Sequence, residues 1–193
     1  MTERFLRVLF VGSTMSSGLV CISTAQNNVT FGPGYEKGQQ SRDKLSFAMP
    51  QGWAEDKDAE TKVGLYRVLV PSGAKLENAD KVITIAFQKK DNSKPGLDTL
   101  KAFFKTDLQD TLSQFPDAQF ARWQPSKLDP AKVSFMGLEM YGKKKGKPSP
   151  QHFIVVEVSD GFFSISLTVA NRDDLKLPIY DDFFNSLGIE PAQ

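Results

Sequence analysis

The chain has one cysteine, Cys21, and one histidine, His152, among its 193 residues. Cys21 lies in an N-terminal segment with the marks of a cleaved leader, so the mature protein is expected to carry no thiol. That excludes a disulfide framework, a thiolate metal site and a cysteine nucleophile. A single histidine leaves too few soft ligands for zinc. Long apolar runs are also missing. The longest, Leu9 to Ile22, is shorter than the roughly 20 residues that span a bilayer and contains Gly12, Thr14 and Ser16. No glycine-rich phosphate loop, Gly-x-Ser-x-Gly elbow or Asp-x-Asp-x-Asp-Gly calcium loop occurs. Strong charge of one sign is absent too, since the formal net charge is +1. Apolar residues at 40% and charged residues at 24% are ordinary for a folded globular chain.

The N-terminus has the pattern of an export signal. Arg4 and Arg7 form a short basic region, Leu9 to Ile22 is uncharged and apolar, and Ser23-Thr24-Ala25 supplies small residues for a peptidase. Cleavage is expected between Ala25 and Gln26. A lipid anchor at Cys21 is disfavoured, because Val20 stands where a small residue is required. Loss of residues 1–25 removes Arg4, Arg7 and Glu3 and balances the two signs of charge. A neutral mature chain has no global field to hold nucleic acid or an anionic membrane. The expectation is a periplasmic or extracellular protein with no stable membrane anchor in its mature form.

Residues 26–43 read as an exposed polar leader and residues 44–190 as one domain. Leu45 to Met49 alternates like a strand and stops at Pro50-Gln51-Gly52-Trp53. Val63 to Val70 and Val82 to Phe87 read as the next strands. The period then changes: Leu97, Leu100, Phe104, Leu108, Leu112 and Phe115 recur every three or four residues, predicting an amphipathic helix ended by Pro116. Lys101, Lys105, Asp107, Gln109 and Asp110 are assigned to its opposite side. Ala118 to Trp123 and Val133 to Tyr141 follow as strands. Asp173 to Leu187 is read as a closing helix started or restarted by Pro178.

The segment Gln151 to Ala170 carries the clearest pairing signal. Asp160-Gly161 is a strong two-residue turn, which would set Val158 opposite Phe163, Val156 opposite Ile165 and Ile154 opposite Leu167. One face is then almost wholly apolar and the other, with Phe153, Val155, Ser164 and Ser166, is mixed. Strands joined by hairpins and helices kept apart from them imply an α+β fold with an antiparallel sheet.

The stretch Leu45-Ser46-Phe47-Ala48-Met49-Pro50-Gln51-Gly52-Trp53 resembles the early strand and Pro-x-Gly-Trp of the PsbP-like superfamily. Phe153 to Glu157 with Phe163 to Leu167, and Phe183-Phe184-Asn185-Ser186-Leu187, resemble its later strand pair and closing helix. That superfamily includes the photosystem II extrinsic protein, the nuclear Ran-release factor and bacterial envelope proteins of the DcrB type. The resemblance spans about residues 44–188. It implies an α/β/α sandwich with a central antiparallel sheet, one long helix in mid-chain and a C-terminal helix. It also implies binding or assembly roles, and brings no shared catalytic residues.

Candidates for chemistry are few. His152, on the apolar strand face, reads as a structural histidine. The acidic groups Glu55/Asp56/Asp58, Asp173/Asp174 and Asp181/Asp182 fit loops and helix ends; as a working pair they would make a hydrolase of envelope polymers. Lys143, Lys144, Lys145 and Lys147 cluster at one turn, which reads either as a solvated tip that blocks edge pairing or as a contact for phosphate, lipid headgroups or an acidic partner. Phe153 and Phe162 would form an apolar partner site if no helix covers the mixed face. A cavity between that face and the long helix would make the protein a small-molecule or lipid carrier. The reading carried forward is a non-catalytic, cofactor-free binding or assembly module of the bacterial envelope, with an envelope protein as partner and no nucleic acid.

Overall fold

At the centre lie two long strands, β9 (Gln151–Glu157) and β10 (Gly161–Val169), paired antiparallel with almost every side chain buried. The computed structural model describes residues 40–144 and 147–192. The expected leader peptide 1–25, residues 26–39 and Lys145 lie outside the described residues.

In chain order the other elements are β1 (Lys44–Ser46), β2 (Trp53–Glu55), α1 (Lys57–Val63), β3 (Arg67–Pro71), β4 (Lys81–Lys89), α2 (Leu100–Gln114), β5 (Gln119–Arg122), β6 (Phe135–Tyr141), β7 (Lys143–Lys144) and β8 (Lys147–Pro148). A 3-10 turn (Arg172–Lys176), α3 (Pro178–Asn185) and β11 (Gly188–Glu190) follow β10. Seven strands form one sheet in the order β2-β3-β4-β10-β9-β6-β5, with every neighbouring pair antiparallel. The α+β class and the central antiparallel sheet expected from the sequence are present.

The hairpin register differs from the sequence reading. Phe163 faces Val156 and Ile165 faces Ile154, a shift of two residues that leaves each side chain on its expected face. The tip is Ser159-Asp160, closed by the Val158 N–H donating to the Gly161 carbonyl at 3.0 Å. Asp160 is used from outside the hairpin, accepting from the Ser41 hydroxyl at 2.9 Å and the Arg42 N–H at 3.0 Å. Gly161 is needed for space: a Cβ there would run into the Gln88 carbonyl and the Phe87 ring of β4. Residues 41–43 are thus tied to the domain, and Asp43 accepts from the N–H groups of Ser159 and Ala192.

Helices cover both faces of the sheet. Thr99 caps α2 by accepting the Ala102 N–H. Phe103 of α2 stacks on Phe162 at 4.5 Å between ring centroids, and Phe104 on Phe153 at 6.0 Å. Phe153 and Phe162 are therefore buried under α2 and present no exposed partner face, a correction whose cause is this ring packing. Asp107, assigned to the polar side of α2, is buried instead. On the same face α1 packs Ala59 with Val68, Val70, Val82 and Ala86. This short helix was not expected from its charged sequence, and Asp56 starts it by accepting the Ala59 N–H. The opposite face is apolar and is closed by Phe183 and Phe184 of α3 with Leu175 of the 3-10 turn. Among the described residues no helix is long and apolar enough to cross a membrane.

Candidate functional site

Strand alternation places Glu139 and Tyr141 of β6 on the face covered by α3. The register sets Glu139 directly opposite His152 of β9. His152 Nε2 lies 3.2 Å from Glu139 Oε2, and Trp123 stacks on the imidazole at 4.0 Å between centroids. Phe184 closes the edge of both rings. The histidine is 4% exposed. Burial holds its pKa below the ordinary value, against the opposing pull of Glu139 and, more weakly, Asp181. Its Nδ1 is enclosed without a hydrogen-bond partner. A neutral ring donating from Nε2 to Glu139 fits this arrangement, since a second N–H would have no acceptor.

Glu139 also reaches outward. Its Oε1 lies 3.5 Å from an Arg172 amino nitrogen, at the start of the 3-10 turn. The Arg172 guanidinium lies over the Tyr141 ring, Cζ 3.5 Å from the centroid. Core histidine, shared carboxylate, surface cation and aromatic ring thus form one chain leading from the interior to solvent. Arg172 keeps 62% of its side chain exposed.

Tyr141 and Arg172 line a pocket of about 480 Å³ with Lys143, Asp117, Gln119, Gly142, Pro148 and Pro150. The β7-β8 hairpin forms one wall, its base closed by the Ser149 N–H donating to the Gly142 carbonyl. Of the four sequence-nominated lysines, Lys143 lines this pocket and is exposed. Lys144 and Lys147 sit opposite each other in β7 and β8.

Of the acidic groups nominated from the sequence, Asp56 and Asp58 meet at the Lys75 ammonium, 3.4 and 3.0 Å away, while Glu55, Asp173 and Asp174 hold different cations. Glu55 pairs with Arg67, Asp58 with Lys75, Asp173 with Lys176 and Asp174 with Lys81. Asp56 is a buried cap. Its burial raises the pKa, but the Leu76 and Ala59 N–H groups and Lys75 outweigh this and hold it below the usual carboxylate range. Among the pocket's lining residues Asp117 is the single carboxylate, so the two-carboxylate hydrolysis of sugars has no second group on that wall. No cluster of three or more metal-ligating side chains occurs among the described residues.

Arg172, Tyr141 and Glu139 were not singled out from the sequence. A usable signal was present: Glu139 interrupts the apolar strand Leu138-Glu139-Met140, and a half-buried strand acid needs a partner.

No family model matches the chain, and no curated protein matches it. Among solved structures the chain is similar in part to the crystal structure of LpqN, described as involved in cell envelope biogenesis of Mycobacterium tuberculosis. The alignment has 14% identity and a TM-score of 0.49, and covers 77% of this chain and 84% of that one.

Proposed function

We propose that this chain is an exported envelope module that holds a partner molecule at the Arg172 pocket without transforming it. The observation that carries the reading is how the polar groups there are deployed. His152 is sealed beneath Trp123, and Glu139 is shared between His152 and Arg172. Neither is positioned to transfer a proton to a bound molecule. Arg172 is instead fixed from behind by a ring and a carboxylate and presented to solvent. Such a group binds at reduced entropic cost.

Export and cleavage after Ala25 belong to the proposal, as does the PsbP-like reading of the fold with its binding and assembly roles. The test places a photoreactive residue at Gln119, on the pocket wall, or at Thr61, on α1, in the full chain expressed in its native host. N-terminal sequencing of the exported product is expected to begin at Gln26. Irradiation should give one dominant adduct from position 119 and none of it from position 61. Equal adducts from both positions, or none from either, would overturn the pocket as the binding site.

A further inference from the structure

Resting on the pocket reading above, we infer that the molecule held there is an acidic saccharide, its carboxylate met by Arg172 and Lys143. Three features of the wall lead to this class. Two cations enter from separate elements, Arg172 from the 3-10 turn and Lys143 from β7, so an anionic group between them is met from two directions. Arg172 commits one amino nitrogen to Glu139, at 3.5 Å, leaving guanidinium N–H donors for a planar carboxylate. Beside them Asp117 supplies an acceptor and Gln119 both a donor and an acceptor. A simple anion has no use for Asp117, whose charge repels it. A ligand carrying hydroxyl donors beside its carboxylate uses both kinds of group. The volume, about 480 Å³, is within the range of small-molecule sites and has room for a small saccharide.

The cation geometry is prepared before any ligand arrives. Glu139 and the Tyr141 ring hold the guanidinium at 3.5 Å each, and Glu139 is itself held by His152. Pro148, paired with Lys143 across the hairpin, and Pro150 stiffen the lining beside Lys143.

The test uses the purified full chain near neutral pH, with binding followed by NMR shifts. Glucuronate and galacturonate are compared with glucose, galactose and acetate. The uronates are expected to bind about tenfold or more tightly than either the neutral sugars or acetate, the size set by charge-assisted hydrogen bonds. R172Q should lose about tenfold in uronate binding, and R172K should fall between it and the parent. Because Arg172 is exposed, both variants are expected to fold, and parent-like amide spectra check this. Neutral sugars binding as well as uronates would overturn the role of the cations. Acetate binding as well as uronates would overturn the saccharide assignment. If no sugar acid binds while the position-119 adduct persists, the ligand class is wrong and the pocket reading stands. If both fail, both readings fall.

Discussion

Two arginines of this protein lie on tyrosine rings, each with a glutamate beside it, and they are put to different use. Arg67 lies over Tyr66 with Cζ 4.6 Å from the centroid, its Nε 3.3 Å from Glu55. Arg172 lies over Tyr141 at 3.5 Å, its amino group 3.5 Å from Glu139. The arginine and tyrosine of each trio line a pocket, of about 550 and 480 Å³ respectively. Arg67, however, also donates Nη1 to the Tyr66 carbonyl at 2.7 Å, so its donors are taken up by the adjoining backbone and by Glu55 of β2. Arg172 is more exposed and is braced on one side. The same three residue types make a structural clasp in one place and a presented cation in the other. What separates them is how many guanidinium donors the fold itself consumes.

The largest effect that would sharpen this contrast lies beneath Arg172. H152A removes a buried ring stacked on Trp123 and leaves a cavity, so urea unfolding should show a loss of about 2–4 kcal/mol. A parent-like midpoint would mean that the His152–Glu139 base does not support the pocket. R67Q comes next. Losing the carbonyl bond, the Glu55 pair and the ring contact should cost about 1–2 kcal/mol in the same assay.

A pH effect follows from His152. Its pKa is held below the ordinary value, so in acid the unfolded chain binds a proton that the folded chain refuses. Stability is then fully present above roughly pH 6.5 and is lost as pH falls through the folded value. Thermal melts across this range should show that slope in the parent and a flatter one in H152A. The smallest effect is at Tyr141, whose hydroxyl is enclosed without a partner. Y141F should be as stable as the parent or more so by up to about 1 kcal/mol, because an unsatisfied polar group is removed while the ring under Arg172 remains.

Parts of this arrangement were legible in the sequence because they depend on local periodicity. The four-residue spacing of Leu100, Phe104 and Leu108 gives α2, and Pro178 gives the start of α3. Faces of β9 and β10 were correct because parity survives a two-residue shift, whereas the register was not. Asp160-Gly161 looks like a turn by composition, but Gly161 is there to let β4 come close and Asp160 to bind Ser41. Both demands come from residues far away in the chain. The candidate site was harder to see for the same reason. Glu139, His152 and Arg172 sit on three elements, and only the β6-β9 register brings the first two face to face. Lys143 was found through its charge run, which marks a turn without showing what that turn encloses. Helix α1 was missed because its seven residues carry too few apolar positions to show a period.

The central claim is that the two arginine clasps divide structure from binding. It is tested most directly by making R172Q and R67Q in the full chain and measuring, for each, the melting temperature and uronate binding. The account predicts that R172Q keeps the parent melting temperature, within a change of about 0.5 kcal/mol, and loses binding, whereas R67Q melts earlier and still binds. Loss of both properties in both variants, or binding that survives in R172Q and fails in R67Q, would contradict it.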